Sequence, residues 1–311
     1  MKNQKFASHL VRRISWDELD PKYLEHLVRT ARSEDIEGAG LLELPKFAAD
    51  VTTLTITPDA NIETRLCARE DMCVCGMKLV PVILEVYASY CGGAPFAFEP
   101  LSKDGDRVCA GTVLGRISGR ARLLLQAERV MLNFLQRLSG VATATAKYID
   151  ALGSSDALLL DTRKTTPSLR VLEKYAFACG GGHTHRMGLF DRVMLKDNHL
   201  VAAHAVSGEM LAEAVALAKK KYPELAVEVE VDSIEQIYPV LDAKADVIML
   251  DNFDIENISK AVDIIGDLAW IEASGGITLK NLRQIADTGV DFISTAAPVH
   301  SSKWIDIGLD S

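Results

Sequence analysis

The chain has 311 residues, of which 48% are hydrophobic and 25% charged, and its net charge is −9. This composition excludes wholesale disorder, a collagen-like repeat and a disulfide scaffold, and the length allows two domains or one large α/β barrel. So acidic a chain lacks the global basic footprint of a nucleic-acid binder, and no nucleic-acid partner is expected.

The six cysteines, Cys67, Cys73, Cys75, Cys91, Cys109 and Cys179, match no usual zinc spacing. Cys73-Val74-Cys75 is too cramped for a redox C-x-x-C, so reduced thiols of a cytoplasmic protein are expected. The N-terminal run MKNQKFASHLVRRISW carries positive charge without the apolar segment of a signal peptide. The apolar stretch Leu79–Leu84 is far shorter than the roughly 20 residues that span a bilayer, so no membrane association is expected.

In chain order, a helix is expected over Pro21–Ser33 and a β-rich stretch over Asp50–Thr57, closed by Pro58 and Asp59. Short apolar runs cut by Gly105, Gly111, Gly115 and Gly119 suggest hairpins. From Ala121 the texture changes: Leu124, Leu125, Val130, Met131, Phe134, Leu135 and Leu138 recur at helical spacing, and the helix is expected to run to about Leu152. A boundary near Gly119 gives domains 1–120 and 121–311, with the C-terminal tail free to return to the first.

Beyond that helix, strand-like runs alternate with helical ones, the pattern of an α/β fold built from βα units with parallel strands. Strands are expected at Ala157–Leu160, Arg192–Lys196, Leu225–Val231, Asp246–Leu250, Leu268–Ala273 and Asp291–Thr295. Helices are expected near 168–179, 207–221, 233–242, 254–265 and 278–288. Polar groups follow almost every strand, and in a parallel barrel this is where an active site collects.

Between Asp161 and His199 seven basic residues face four acidic ones, so a chain of net charge −9 contains a window of +3. Arg163 and Lys164 follow the first of these strands, Lys196 closes the second, and His185-Arg186 follows the glycine run Gly180-Gly181-Gly182. Arginine donates two parallel hydrogen bonds to a carboxylate or phosphate and lysine supplies a point charge, so these four cations suit a polyanionic small molecule. The glycine run matches neither a P-loop nor a dinucleotide fingerprint and reads as a helix C-cap and turn.

Ser274-Gly275-Gly276-Ile277-Thr278 leads from a strand towards a helix, and Ser294-Thr295-Ala296-Ala297 takes the equivalent place after the last strand; both resemble a barrel phosphate site. Glu230 and Asp251, carboxylates on neighbouring strands, suit ribose hydroxyls or Mg²⁺. His185 and His300 are either donors to an anion or satisfied structural histidines.

The run DTRKTTPSLRVLEKYAFACGGGHTHRMGLFDRVMLKDNHL, Asp161 to Leu200, resembles the quinolinate phosphoribosyltransferase family, as do ERVMLNFLQRLSGVAT, EVEVDS, IMLDN, EASGGIT and the tail ending in His300. The resemblance implies an N-terminal open α/β sandwich and a C-terminal incomplete TIM-like α/β barrel, assembled as a homodimer. It also implies transfer of a phosphoribosyl group from phosphoribosyl pyrophosphate to quinolinate with Mg²⁺ as cofactor, giving nicotinate mononucleotide, pyrophosphate and CO₂ in NAD biosynthesis.

By the same resemblance Arg129 is the substrate arginine supplied by the partner subunit, and Arg163, His185, Arg186 and Lys196 hold the quinolinate carboxylates. Lys164 lies nearer the pyrophosphate, and Glu230 and Asp251 serve the ribose and Mg²⁺. Lys164, Lys196, Glu230 and Asp251 are the expected catalytic groups, while Ser274, Gly275, Gly276, Ala296 and His300 fall in the phosphate region. Ala296 stands where the family usually has glycine, and Pro298-Val299 replaces its usual Leu-Thr. Two rivals remain at this point: a relative on the same fold with another aromatic acid as acceptor, and a noncatalytic sugar-phosphate-binding module.

Overall fold

The computed structural model describes residues 2–311 and divides into two compact units, one comprising Ser15–Thr143 with Ser302–Ser311, the other Ala144–Ser301 together with the N-terminal residues through Ile14. In chain order, α1 (Ala7–Leu10) precedes α2 (Pro21–Glu37), which begins where the Asp20 carboxylate accepts from the Lys22 N–H and ends at Gly38, with φ of 70°. Asp50–Thr57 is not a strand. The Asp50 carboxylate accepts from the N–H groups of Thr52 and Thr53, and this local capping, which opens a 3-10 turn at Thr53–Thr55, overrides the β-branched composition.

Next come β1 (Asn61–Ala68), β2 (Met72–Cys73), α3 (Val80–Tyr90), β3 (Phe96–Pro100), β4 (Arg107–Val108) and β5 (Val113–Arg120). β4 and β5 do not form a hairpin with each other: β4 pairs with β2, while β5 lies between β1 and β3. The glycines divide: Gly105 and Gly111, with φ of 96° and 86°, lie in turns, whereas Gly115 and Gly119 lie within β5. A Cβ on Gly119 would stand 2.8 Å from the Pro95 carbonyl oxygen, so glycine lets β3 approach closely.

The long helix α4 (Ala121–Leu152) follows, and the units divide inside it rather than at 120/121. The reason is side-chain hydrogen bonding along its first part: Ser139 Oγ and Thr143 Oγ1 accept from the backbone N–H groups of Cys75 and Cys73 at 3.0 and 2.8 Å. These bonds keep α4 with the antiparallel unit through Thr143. The tail joins that unit as well, since the final strand, Ile307–Asp310, pairs antiparallel with β1.

The second unit supplies β6 (Leu158–Leu160), α5 (Arg170–Cys179), β7 (Val193–Leu195), α6 (Asp197–Ala202), α7 (Gly208–Lys221), β8 (Val227–Val231) and α8 (Ile234–Asp242). It continues through β9 (Val247–Asp251), α9 (Ile255–Ile265), β10 (Trp270–Ser274), α10 (Leu282–Ala286), β11 (Phe292–Ser294) and α11 (Ala297–His300); the tail strand Ile307–Asp310 is β12. The parallel sheet runs β6-β11-β10-β9-β8-β7, the order of an α/β barrel left open between β6 and β7. Among the described residues no helix is long and apolar enough to cross a membrane.

Phe6 and Leu10 pack with Leu160, Ala226, Val247 and Phe292, several of which lie at the amino ends of the parallel strands, and Lys2 pairs with Asp291. The first residues therefore close the amino end of this sheet instead of joining the antiparallel unit. Leu10 is fully buried, so Leu10→Ala should lower the unfolding free energy by about 2–5 kcal/mol, read as a reduced denaturant midpoint at unchanged slope.

Candidate functional site

The opposite, carboxyl end of the parallel strands surrounds a cavity of about 660 Å³. The chain just after β6 contributes Thr162, Arg163 and Lys164, and the segment before β7 contributes His185 and Arg186. From β7 come Met194 and, just past its end, Lys196; β8 supplies Glu230; Met249, Asp251 and Asn252 come from β9 and the position after it. Ser274, Gly275 and Gly276 close β10, and Ser294 ends β11.

Arg163, Lys164, Arg186 and Lys196 thus share one cavity. The other members of the cationic window are used elsewhere: Lys174 pairs with Asp161, Arg192 with Glu228, and Arg170 donates to the Met187 carbonyl at 3.1 Å. Lys196 forms an ion pair with Glu230. Arg186 is buried, and its pKa is lowered by that burial and by the neighbouring Arg163 guanidinium. Two crowded guanidinium groups in a cavity favour the entry of an anion.

Asp251 accepts from Asn252 Nδ2 at 2.8 Å, and Asn252 adopts φ of 57°, a conformation asparagine tolerates better than most residues. Opposite it, Gly275 has φ of 86°, and a Cβ there would stand 2.2 Å from Asn252 Oδ1. Glycine is required on both counts. The turn does not run straight into a helix, however: α10 begins only at Leu282, because Asn281 Oδ1 accepts from both the N–H and the hydroxyl of Thr278 and holds the intervening residues as a turn.

Three of the expected residues lie away from this cavity's lining. Ala296 is buried beyond β11, where Ser294 faces the cavity and donates to Ser274 Oγ at 3.1 Å. His300 is exposed at the end of α11 with its Nδ1 2.6 Å from Ser301 Oγ. Arg129 is exposed on the part of α4 that belongs to the antiparallel unit.

Beneath the cavity is a layer that the strand-end reading missed. His185 Nε2 lies 3.3 Å from Glu228 Oε1 and 3.3 Å from Glu272 Oε2, and Arg192 donates to Glu228 Oε2 at 2.9 Å. Burial opposes the charged ring and the Glu272 and Glu228 carboxylates favour it, which raises the His185 pKa, whereas the Arg186 backbone N–H aimed at Nδ1 requires that nitrogen to be unprotonated and holds the ring as its Nε2–H tautomer. Although burial disfavours its charge, Glu228 is held well below the usual carboxylate range by His185 and Arg192. The missed signal was alternation: Glu228 and Glu272 sit two residues before Glu230 and Ser274, on the same strand faces.

Asp161 Oδ1 accepts the His185 backbone N–H at 2.9 Å and also pairs with Lys174. Burial pushes the Asp161 carboxyl up and the Lys174 ammonium down, each opposed by the other's charge.

A family model described as quinolinate phosphoribosyl transferase, C-terminal domain, matches residues 141–310, and the corresponding N-terminal domain model matches residues 50–139. The chain is 39% identical over 251 residues to a probable nicotinate-nucleotide pyrophosphorylase [carboxylating] of Synechocystis, covering 79% of this chain and 82% of the relative. It is 36% identical over 287 residues to the Mycobacterium leprae nicotinate-nucleotide pyrophosphorylase [carboxylating], covering 91% and 95%. The solved nicotinate-nucleotide pyrophosphorylase of Francisella tularensis superposes with a TM-score of 0.85 at 34% identity, over 96% of this chain and 99% of that one.

Proposed function

The chain belongs to the quinolinate phosphoribosyltransferase family, and from that premise we propose how its cavity serves the decarboxylating reaction of NAD biosynthesis. The enzyme transfers the phosphoribosyl group of phosphoribosyl pyrophosphate to quinolinate, yielding nicotinate mononucleotide, pyrophosphate and CO₂. The observation that carries the site assignment is the grouping of Arg163, Lys164 and Arg186 in one cavity of an acidic protein, with Lys196 beside them.

In this reading Arg163, Arg186 and Lys196 clamp the two carboxylates and turn the pyridine nitrogen towards the ribose C1. Lys164, exposed at the rim, meets the pyrophosphate. Ser274, Gly275, Gly276 and Ser294 lie where the 5′-phosphate would be held, with Ala296 and His300 behind them, outside the lining. The apolar faces of Met194 and Met249 offer a surface for the ring. Catalysis rests on positioning and electrostatics. The nitrogen lone pair forms the bond to C1 as the C1–oxygen bond breaks and pyrophosphate departs with that electron pair. The ring nitrogen becomes cationic, the C2–carboxylate bond breaks, CO₂ leaves, and the electron pair left on C2 is stabilised by the adjacent positive charge until a proton replaces the carboxylate.

The oxygen donors of Glu230, Asp251 and Asn252 fit Mg²⁺, a hard cation that prefers a few carboxylates and phosphate oxygens. When bound, the ion neutralises charge on the departing pyrophosphate. Glu230 and Asp251 also suit the ribose hydroxyls. A homodimer is proposed in which Arg129 reaches the cavity of a second copy, supported by its exposure on α4. A cytoplasmic location is supported by six free cysteines.

The direct test is purified protein with phosphoribosyl pyrophosphate, Mg²⁺ and either quinolinate or nicotinate, following mononucleotide and CO₂. Product from quinolinate and none from nicotinate is expected; binding of the donor without turnover of quinolinate would point to another acceptor. Arg186→Ala should lose a charge-assisted interaction of about 1.5–3 kcal/mol, a 10- to 150-fold fall in kcat/KM for quinolinate. Mixing inactive Arg129→Ala with inactive Lys196→Ala should restore partial activity through heterodimers that contain one intact site, and heterodimers without activity would rule out sharing.

A further inference from the structure

On β8 and β10 side chains alternate faces, so Glu228 lies beneath Glu230, and Glu272 beneath Ser274, one layer below the cavity lining. Both are fully buried, and the strand between them presents Val247 and Met249 in register, which are apolar and buried. Glu228 is satisfied by Arg192. Glu272 is different: among the described residues neither of its oxygens has a hydrogen-bond partner, and its ionic contact is His185 Nε2 at 3.3 Å. A core arranged for stability alone would place an apolar side chain there, because an under-satisfied buried carboxylate is costly. Such a departure marks a functional constraint.

The constraint leads to the substrate clamp through one ring. His185 Nδ1 accepts the Arg186 backbone N–H at 2.8 Å, and Nε2 faces the two carboxylates. With Nδ1 accepting, the ring is the neutral tautomer that carries its proton on Nε2, and that N–H faces the two carboxylates, so His185 offers the cavity its carbon edge rather than an N–H donor. This differs from the direct carboxylate grip expected of it. The trio of His185, Glu228 and Glu272 has the spacing of a metal site, but Arg192 already supplies a cation there, its Nη1 3.2 Å from Nε2.

We propose that Glu272 is a positioning residue for the pyridine dicarboxylate: acting with Glu228 through His185, it fixes the backbone of Arg186 and thereby aims that guanidinium into the cavity. The inference rests on the assignment of Arg186 to the substrate carboxylates. The charged groups around the ring are Glu228 from β8, Glu272 from β10, Arg192 before β7, Asp161 after β6 through the His185 N–H, and Arg186 itself.

The test is Glu272→Gln, which keeps the shape and removes the charge. The Tm should hold or rise, the quinolinate KM should rise about tenfold, and the KM for phosphoribosyl pyrophosphate should stay within about twofold. Glu272→Asp, which keeps a carboxylate facing the ring, should return the quinolinate KM towards its original value. Equal rises in both KM values, or an unmoved quinolinate KM in folded Glu272→Gln, would overturn the proposal. If Arg186→Ala also leaves quinolinate untouched, the site assignment itself fails; if Arg186→Ala has its effect and Glu272→Gln has none, only the proposal fails. Should the glutamine variant not fold, ¹⁵N spectra of the unaltered enzyme decide: a His185 ring with an unprotonated, accepting Nδ1 and its proton on Nε2 at neutral pH supports it, and a ring protonated at Nδ1 rejects it.

Discussion

Asp161 joins three segments at the open edge of the parallel sheet. It follows β6 directly, pairs with Lys174 from α5, and accepts the backbone N–H of His185. A buried ion pair of this kind contributes little net stability, because desolvation offsets the attraction, but removing either partner would strand a charge in the interior. Its effect is to fix geometry. With Asp161 held, Arg163 and Lys164 on one side and His185-Arg186 on the other are brought to the same cavity, although about twenty residues of sequence separate them.

The gap between β6 and β7 makes this arrangement possible. In a closed barrel these strands would pair; here Leu160 instead forms a bridge with His183, whose N–H donates to the Leu159 carbonyl. The segment carrying His185 and Arg186 therefore occupies the edge of the sheet and delivers its side chains to the strand ends. At the other end of the same strands, Phe6 and Leu10 complete the apolar core. The apolar plug sits at one end and the crowded cations at the other, so the residues that line the cavity are not the ones that fill the core at the amino ends.

Those cations are graded by their surroundings. Arg186 is buried and disfavoured as a cation until an anion arrives, whereas Lys196 begins paired with Glu230 and Lys164 is exposed. A dicarboxylate is the kind of ligand that compensates a buried guanidinium. The layer of Glu228, Glu272, Arg192 and His185 beneath it supplies balancing charge from within the protein, so the site is organised over two depths of the barrel.

The sequence by itself determined the six parallel strands, five of the helices among them though not the short α6, the cationic character of the window from Asp161 to His199, and the family, because periodicity, strand-end position and motif spacing are local properties. It also singled out Arg163, Lys164, Arg186 and Lys196, which share the cavity. It did not reveal that Asp50 would convert a β-branched run into a 3-10 turn, or that Gly115 and Gly119 serve close strand approach rather than turning. Only the tertiary structure decided which charges are spent on one another, placed Ala296 and His300 outside the lining, and set Glu228 and Glu272 under His185. Those outcomes depend on through-space distances of a few ångströms between strands far apart in the chain, and charge interactions at that range follow from how the sheet curves, which no one-dimensional pattern encodes.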